Sequence, residues 1–401
     1  MTKSQFREFL FGAKHLTGLL VAAATVAVLL FMEVGAVGQE VGAVKHSVSA
    51  LPSTQQAPGY NPTTPAKVEL GRLLFWDPLL SGPQDVACAT CHHPQNAYAE
   101  DRDLSLGVTG IGLGRFRRQA PGSSIAIVKR NSPTVLNIAF SGSDESGRYD
   151  PATAPAFWDN RIRSLESQAL EPLKAREEMR GDTYPAEEAV EKVVAKLQAN
   201  AGYQSLFAGA FGSEQPVNAE NLGRAIAAFM RSLLANNSPF DRYMRGDKSA
   251  MTEEQVAGMQ RFERSGCIKC HNGPMFSDYK LHVMGVPDNP ALPASDAGAE
   301  NTYAFRTASL RNLEFTFPYG HNGTFRTLSA VVGFYESTIA GSSRNPNVRY
   351  EELDPRLREL KNVDEEDVDL IEFLYALSDG SFDRTIPERV PSGLPVGGRI
   401  R

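Results

Sequence analysis

All four cysteines of the chain fall in two copies of one pattern. Cys88, Cys91 and His92 stand in CATCH, and Cys267, Cys270 and His271 stand in CIKCH. Four chemistries use paired cysteines. A thioredoxin-like redox pair needs a strand–helix–strand setting and no histidine. A zinc site could draw on Cys88, Cys91, Cys267 and Cys270, but zinc requires no histidine directly after each pair. Unreactive structural thiols are a third reading. Covalent haem c uses every feature: two thiols add to the haem vinyl groups, and the next residue, histidine, ligates the iron. Two haem c groups are therefore expected, with His92 and His271 as proximal ligands. His93 is a bystander, because the attachment geometry selects the residue next to the second cysteine.

These residues need elements to position them. The chain reads as mostly helix with long loops and few short strands. EEAVEKVVAKLQAN (187–200) puts Val190, Val193, Val194 and Leu197 on one helical face. ENLGRAIAAFMRSLLA (220–235) does the same with Leu222, Ile226, Phe229 and Leu233. In TEEQVAGMQRFERS (252–265), Thr252 and Gln255 have capping-box spacing, and the helix leads directly to Cys267. DEEDVDLIEFLYALS (364–378) is a last amphipathic helix with acids in its first turn. The turn-rich stretch 236–250 marks a boundary between halves. GIGLGR contains G-x-G but lacks the strand–turn–helix setting of a dinucleotide site.

The bulk numbers bound the function. The chain has 401 residues, room for two domains. A net charge of −6 argues against nucleic acid as a partner, since phosphate binding needs concentrated basic surface. Arg115, Arg117, Arg118, Lys129 and Arg130 read as a solvated loop. The N-terminus reads as an export signal over residues 1–36: Lys3, Arg7 and Lys14, then an apolar run (16–32), then small residues at 34–36. The expected location is periplasmic, with an uncleaved anchor in the inner membrane as the alternative. Residues 37–60 read as a flexible lead-in. No self-complementary apolar stripe separates monomer from homodimer.

A haem that only transfers electrons normally has two strong axial ligands. One that reacts with peroxide needs an open position and a nearby acid–base group. The stretch 94–265 contains no histidine. Met179, Met230, Met244, Met251 and Met259 remain as sulfur ligands, though methionine on an apolar helix face is more often core. A first haem with an open or water-filled distal side is expected.

Five stretches together resemble the bacterial dihaem cytochrome c peroxidase superfamily: CATCHHP, RNSPTVLN (130–137), FWDNRIRSLESQALEPLKAREEM (157–179), GCIKCHNGPMFSD (266–278) and RTASLRNLEFTFPYGHNGTFRTLSAVVGFYE (306–336). More narrowly they resemble its MauG-like branch, whose type member oxidises tryptophans of a partner protein to build a quinone cofactor. The resemblance covers roughly residues 60–380. It implies two mostly helical cytochrome c-like domains with one haem each and a calcium ion between them. The N-terminal peroxidatic domain is expected over 61–238 and the electron-transfer domain over 239–385, with a segment from about 340 to 401 packing back on the first.

The resemblance also implies roles. Tyr335 matches the tyrosine that ligates the second haem in the MauG-like branch, and no methionine follows Met284 to replace it. His282 is a rival for that iron, and His321 is placed near the same haem. Glu178 matches the distal glutamate that moves a proton during peroxide cleavage. Gln168 and Pro172 match other distal positions. Glu166 and Glu171 are rivals for the acid–base role, and Glu177 is expected in solvent. Trp158 matches the residue between the haems, whereas Trp76 reads as core. Asn131, Thr316 and Pro318 match the calcium ligands. The loop AEDRDLSLGVTGIGLGRFRR lacks the histidine that caps the resting first haem in many peroxidases, so that haem is expected to be always accessible. The implied function is a dihaem oxidase that reacts with hydrogen peroxide, forms a high-valent two-haem state and oxidises a tryptophan or tyrosine of a partner protein. The alternatives are a cytochrome c peroxidase that detoxifies peroxide with a small cytochrome or cupredoxin donor, and a non-catalytic electron-transfer cytochrome.

Overall fold

A computed structural model describes residues 47–212 and 214–400. The predicted export signal and the start of the lead-in lie outside the described residues. The chain is mostly helical with few short strands, as its sequence predicts. In chain order the helices are α1 (Pro65–Trp76), α2 (Cys88–Cys91), α3 (Leu165–Gln168), α4 (Glu171–Lys174), α5 (Ala189–Gln198), α6 (Ala201–Phe211), α7 (Ala219–Ser232), α8 (Pro239–Met244), α9 (Glu253–Arg264), α10 (Leu328–Ile339) and α11 (Val368–Tyr375). Three antiparallel ribbons join β1 (Gly110–Ile111) to β2 (Arg118–Gln119), β3 (Pro155–Ala156) to β4 (Ile162–Arg163), and β5 (Leu281–Val283) to β6 (Ala304–Arg306).

One local device builds both halves. Helix α1 starts where Thr64 accepts the Lys67 N–H and proline stands in the first turn. Its buried face, Leu70, Leu74 and Phe75, meets α7. The crossing is close because Gly71 has no side chain: a Cβ there would stand 2.0 Å from the Ala225 carbonyl oxygen. Helix α9 starts with the predicted Thr252–Gln255 capping box. It crosses α11 at Gly258, where a Cβ would stand 1.9 Å from the Asp369 carbonyl oxygen. After each tight crossing the chain reaches a C-x-x-C-H stretch, which winds into a single short turn.

Each half has its own apolar cluster. The first gathers Leu70, Phe75, Leu222 and Phe229 around α1 and α7. The second gathers Phe240, Phe262, Phe276 and Phe373 in edge-to-face and tilted contacts 5.1–6.0 Å apart. Each fully buried large side chain contributes about 1.5–3 kcal/mol. The C-terminal segment adds Phe382 and Val390 to the first cluster. Its Gly397 N–H donates to the Trp76 carbonyl at 2.8 Å, and Thr90 Oγ1 donates to the Gly397 carbonyl at 2.7 Å.

Several expectations change. The described part of the lead-in is packed, not free: Val48 pairs with Gly273, Leu51 is buried, and its N–H donates to Asp241 at 2.8 Å. The last helix starts at Val368, so Asp364, Glu365 and Glu366 precede it, and Asp367 caps it by accepting the Leu370 N–H. Arg117 and Arg130 do not belong to a solvated loop. Arg117 is buried in an ion pair with Glu100, and Arg130 sits between Asp159 (2.6 Å) and Asp296 (2.5 Å). No helix among the described residues is long and apolar enough to cross a membrane.

Candidate active site

A cavity of about 1070 Å³ reaches both cysteine pairs. It is lined by Cys88, Cys91 and His92 and also by Cys267, Cys270 and His271. That volume exceeds the ~300–1,000 Å³ of ordinary ligand pockets. The two histidines are oriented in the same way. His92 Nδ1 lies 3.0 Å from the Tyr98 carbonyl, and His271 Nδ1 lies 3.0 Å from the Phe276 carbonyl. A carbonyl only accepts, so Nδ1 carries the hydrogen and Nε2 keeps its lone pair. Burial holds both rings below the usual histidine range, hence neutral. Burial also pushes the Cys88 and Cys270 thiols up to about 12, which disfavours the thiolates zinc would need. Unpaired neutral thiols and neutral, oriented imidazoles facing a large cavity fit covalent haem c. His93 is buried against Trp76, with ring centres 5.3 Å apart, and does not line the cavity.

Glu178, Gln168 and Pro172 all line the cavity. Gln168 ends α3 and its buried Oε1 has no protein partner. Glu178 sits on a π-turn, Arg176–Arg180, an irregularity the sequence pattern does not reveal. Burial raises its carboxyl above the ordinary value, Arg161 opposes that shift, and Glu177 and Glu171 add to it. The rivals are committed elsewhere. Glu166 accepts from Arg231 and Asn61, each at 2.8 Å, and Glu171 pairs with Lys174 at 2.5 Å. Neither lines the cavity, whereas Glu177 does, contrary to its expected place in solvent. Sequence reasoning passed over Arg161, which lines the cavity and lies 3.9 Å over the Phe157 ring. Of the candidate methionines, Met179 and Met230 line the cavity; Met244, Met251 and Met259 do not.

Trp158 lines the cavity and donates Nε1–H to the Asn131 carbonyl at 3.0 Å. Its ring meets His321 edge-on at 6.5 Å, and His321 stacks on Phe305 at 3.6 Å. Asn131, Thr316 and Pro318 line the same cavity. The Asn131 N–H donates to the His321 carbonyl at 2.7 Å, which ties its loop to the 316–321 loop. Its side-chain NH₂ donates to the Arg102 carbonyl at 2.7 Å, leaving Oδ1 as the free donor atom for a hard cation.

Tyr335, on α10, lines the cavity, and burial followed by Cys270 and Cys267 pushes its phenol well above the usual range. His282 lines it too, but both ring nitrogens are engaged. Nδ1 lies 2.6 Å from Asp354 and Nε2 3.2 Å from Asp278. Despite burial, those two carboxylates raise its pKa, so it favours the charged form, which has no lone pair for iron. Cys270, Asp278 and His282 also form a compact group of possible metal ligands. The same carboxylate contacts occupy its imidazole.

The sequence profile of the di-haem cytochrome c peroxidase family matches residues 65–249. The chain is 33% identical over 342 residues to the methylamine utilization protein MauG of Methylorubrum extorquens, covering 84% of this chain and 85% of that one. It is 31% identical over 314 residues to the cytochrome c551 peroxidase of Nitrosomonas europaea, covering 76% and 81%. The crystal structure of a MauG-like protein associated with microbial copper homeostasis superposes with a TM-score of 0.64 at 26% identity, covering 82% of this chain and 95% of that one.

Proposed function

The chain belongs to the di-haem cytochrome c peroxidase family, as an oxidoreductase with two haem c groups and hydrogen peroxide as oxidant, and we propose that within it the protein is a MauG-like oxidase of a partner protein's tryptophan or tyrosine. The observation that carries this reading is at the second haem. Tyr335 faces the cavity near Cys267 and Cys270, while both nitrogens of His282 are held by carboxylates. A phenolate is a hard anionic ligand that favours oxidised iron, which suits an oxidase more than a simple electron relay.

In this reading Cys88, Cys91 and His92 hold the first haem, and Cys267, Cys270, His271 and Tyr335 hold the second. The separate apolar clusters support two haem domains, 61–238 and 239–385. When bound, the haems supply iron that accepts the peroxide oxygens and passes oxidising equivalents onward. The chain supplies the rest. Glu178 takes a proton from the inner peroxide oxygen and returns it to the leaving one. Its elevated pKa brings its carboxyl nearer the proton affinity that exchange requires. Gln168 offers its unpartnered Oε1 to a hydrogen on the same ligand, and Pro172 adds an apolar wall without an N–H to compete. Trp158, oriented by its bond to Asn131, carries oxidising equivalents between the two haems in this reading. Asn131, Thr316 and Pro318 hold a calcium ion through neutral oxygens and so tie the two halves together. Export to the periplasm suits covalent haem attachment.

The test is to mix holoprotein and peroxide with extract of its own host and search by mass spectrometry for oxidised tryptophan or tyrosine in a co-purifying protein. Peroxide-dependent oxidation of one such partner supports the reading. Rapid turnover with a reduced small cytochrome, and no oxidised partner, would replace it with peroxide detoxification. Two low-spin haems in the ferric EPR spectrum, with no high-spin signal, would sink both.

A further inference from the structure

Among the described residues, Arg117, Arg231 and Arg311 are buried guanidiniums, and each has a carboxylate: Glu100, Glu166 and Asp241 in turn. Arg306 breaks this pattern. It ends β6, is half-buried, and lines the cavity. Its Nη1 donates to the Pro155 carbonyl at 3.1 Å, and its buried Nε has no partner. Its guanidinium lies 5.7 Å over the neutral Tyr279 ring, and the carboxylate whose charge acts on it, Asp159, is already held by Arg130 at 2.6 Å and Arg161 at 2.8 Å. A guanidinium whose buried Nε lacks a partner and that has no carboxylate of its own is unfavourable, and the cavity it lines is where an anion can reach it.

The position narrows what that anion is. The Arg306 N–H donates to the Trp158 carbonyl at 2.7 Å. Two residues further on, the main chain of Ala308 faces the His271 ring. Arg306 therefore stands between the inter-haem tryptophan and the second cysteine pair. Covalent attachment consumes the vinyl groups of a haem and leaves its two propionate carboxylates intact. A guanidinium matches a carboxylate in a two-pronged bond that an ammonium cannot copy.

We infer that Arg306 holds a propionate of the haem attached at Cys267 and Cys270, and that this pair sets that haem's reduction potential. The inference rests on His271 being the ligand of that haem. A positive charge beside the macrocycle offsets the propionate's negative charge and makes the iron easier to reduce. Through its main-chain bond Arg306 also fixes Trp158 relative to the same carboxylate.

The experiment compares native, R306Q and R306K holoproteins. Two attached haems per chain, counted as pyridine haemochromes, establish that loading is equal. Spectroelectrochemical titration then resolves the two potentials. The second-haem potential should fall in R306Q and stay near native in R306K, with the first haem unmoved. An unchanged second-haem potential in R306Q overturns the inference, as does a shift confined to the first haem. Resonance Raman of native and R306K protein adds an arm that keeps the charge. The propionate bending bands must differ, because a two-pronged bond becomes a point contact; identical bands overturn the assignment. Failure of the underlying reading is seen separately: H271A with an unaltered second-haem spectrum would remove His271 as ligand, whatever Arg306 does.

Discussion

Gly107 lies directly against the main chain that carries Glu178, the proposed distal acid. A Cβ at Gly107 would stand 1.8 Å from the Glu177 carbonyl oxygen and 3.1 Å from Glu178 Cα, and its φ is +47°. Only glycine fits both the contact and the left-handed backbone. The loop after the first C-x-x-C-H thus forms the bed on which the π-turn rests.

Gly107→Ala should therefore displace Glu178 while leaving both haems attached. A displacement near 1 Å costs roughly 10²-fold in a positioned proton transfer. Stopped-flow single turnovers with peroxide measure it. Native rates in G107A would show that the turn's position is set elsewhere.

Glu178→Gln should keep both haem spectra and slow peroxide cleavage by roughly 10²–10⁴-fold. Its pH behaviour follows from the raised pKa. The base form is the ionised one, so the native rate should rise with pH through a limb above the ordinary glutamate value of about 4.3. Arg161 holds that limb down, so R161Q should move it to higher pH. A limb unmoved in R161Q would assign the titration to another group.

The sequence makes the chemistry more legible than the supports. Cys88, Cys91, His92 and their second copy have a spacing that few other functions require, and the Thr252–Gln255 cap has a local code. Glu178 was recognisable only inside a longer resemblance, because a helix-surface acid and a distal acid look alike in sequence. Its π-turn was not legible, since REEM has no pattern that distinguishes i+5 from i+4 bonding. Arg117 and Arg130 misread as solvated for a related reason: charge alone does not say whether Glu100 or Asp296, distant in sequence, closes over it. Val48 and Leu51 belong to no periodic segment, so only their landing places at Gly273 and Asp241 show that they are packed.

With Tyr335 as the proposed sixth ligand of the second haem, Tyr335→Phe should convert that haem's ferric spectrum toward high spin. His282→Gln should leave that spectrum intact but destabilise the fold, because Asp278 and Asp354 lose their shared partner. Comparison of the two ferric EPR spectra decides the ligand. A native spectrum in Y335F together with a changed one in H282Q would transfer the role to His282.

The Glu100–Arg117 pair lets stability and catalysis be separated. Both side chains are almost fully enclosed, and Arg117 also donates Nη2–H to the Gly107 carbonyl at 2.7 Å and contacts Cys91 Sγ at 3.3 Å. Removing only the cation in R117M leaves Glu100 buried and uncompensated, at a cost of ~3–5 kcal/mol. Replacing both partners, in E100Q/R117M, removes the charge problem and should recover most of that loss in urea denaturation. The double variant still lacks the hand on Gly107, so the bed under Glu178 stays loose. Its peroxide cleavage should remain slow although its stability returns. If both recover together, Arg117 acts through charge compensation alone and the Gly107 bond does not position the glutamate.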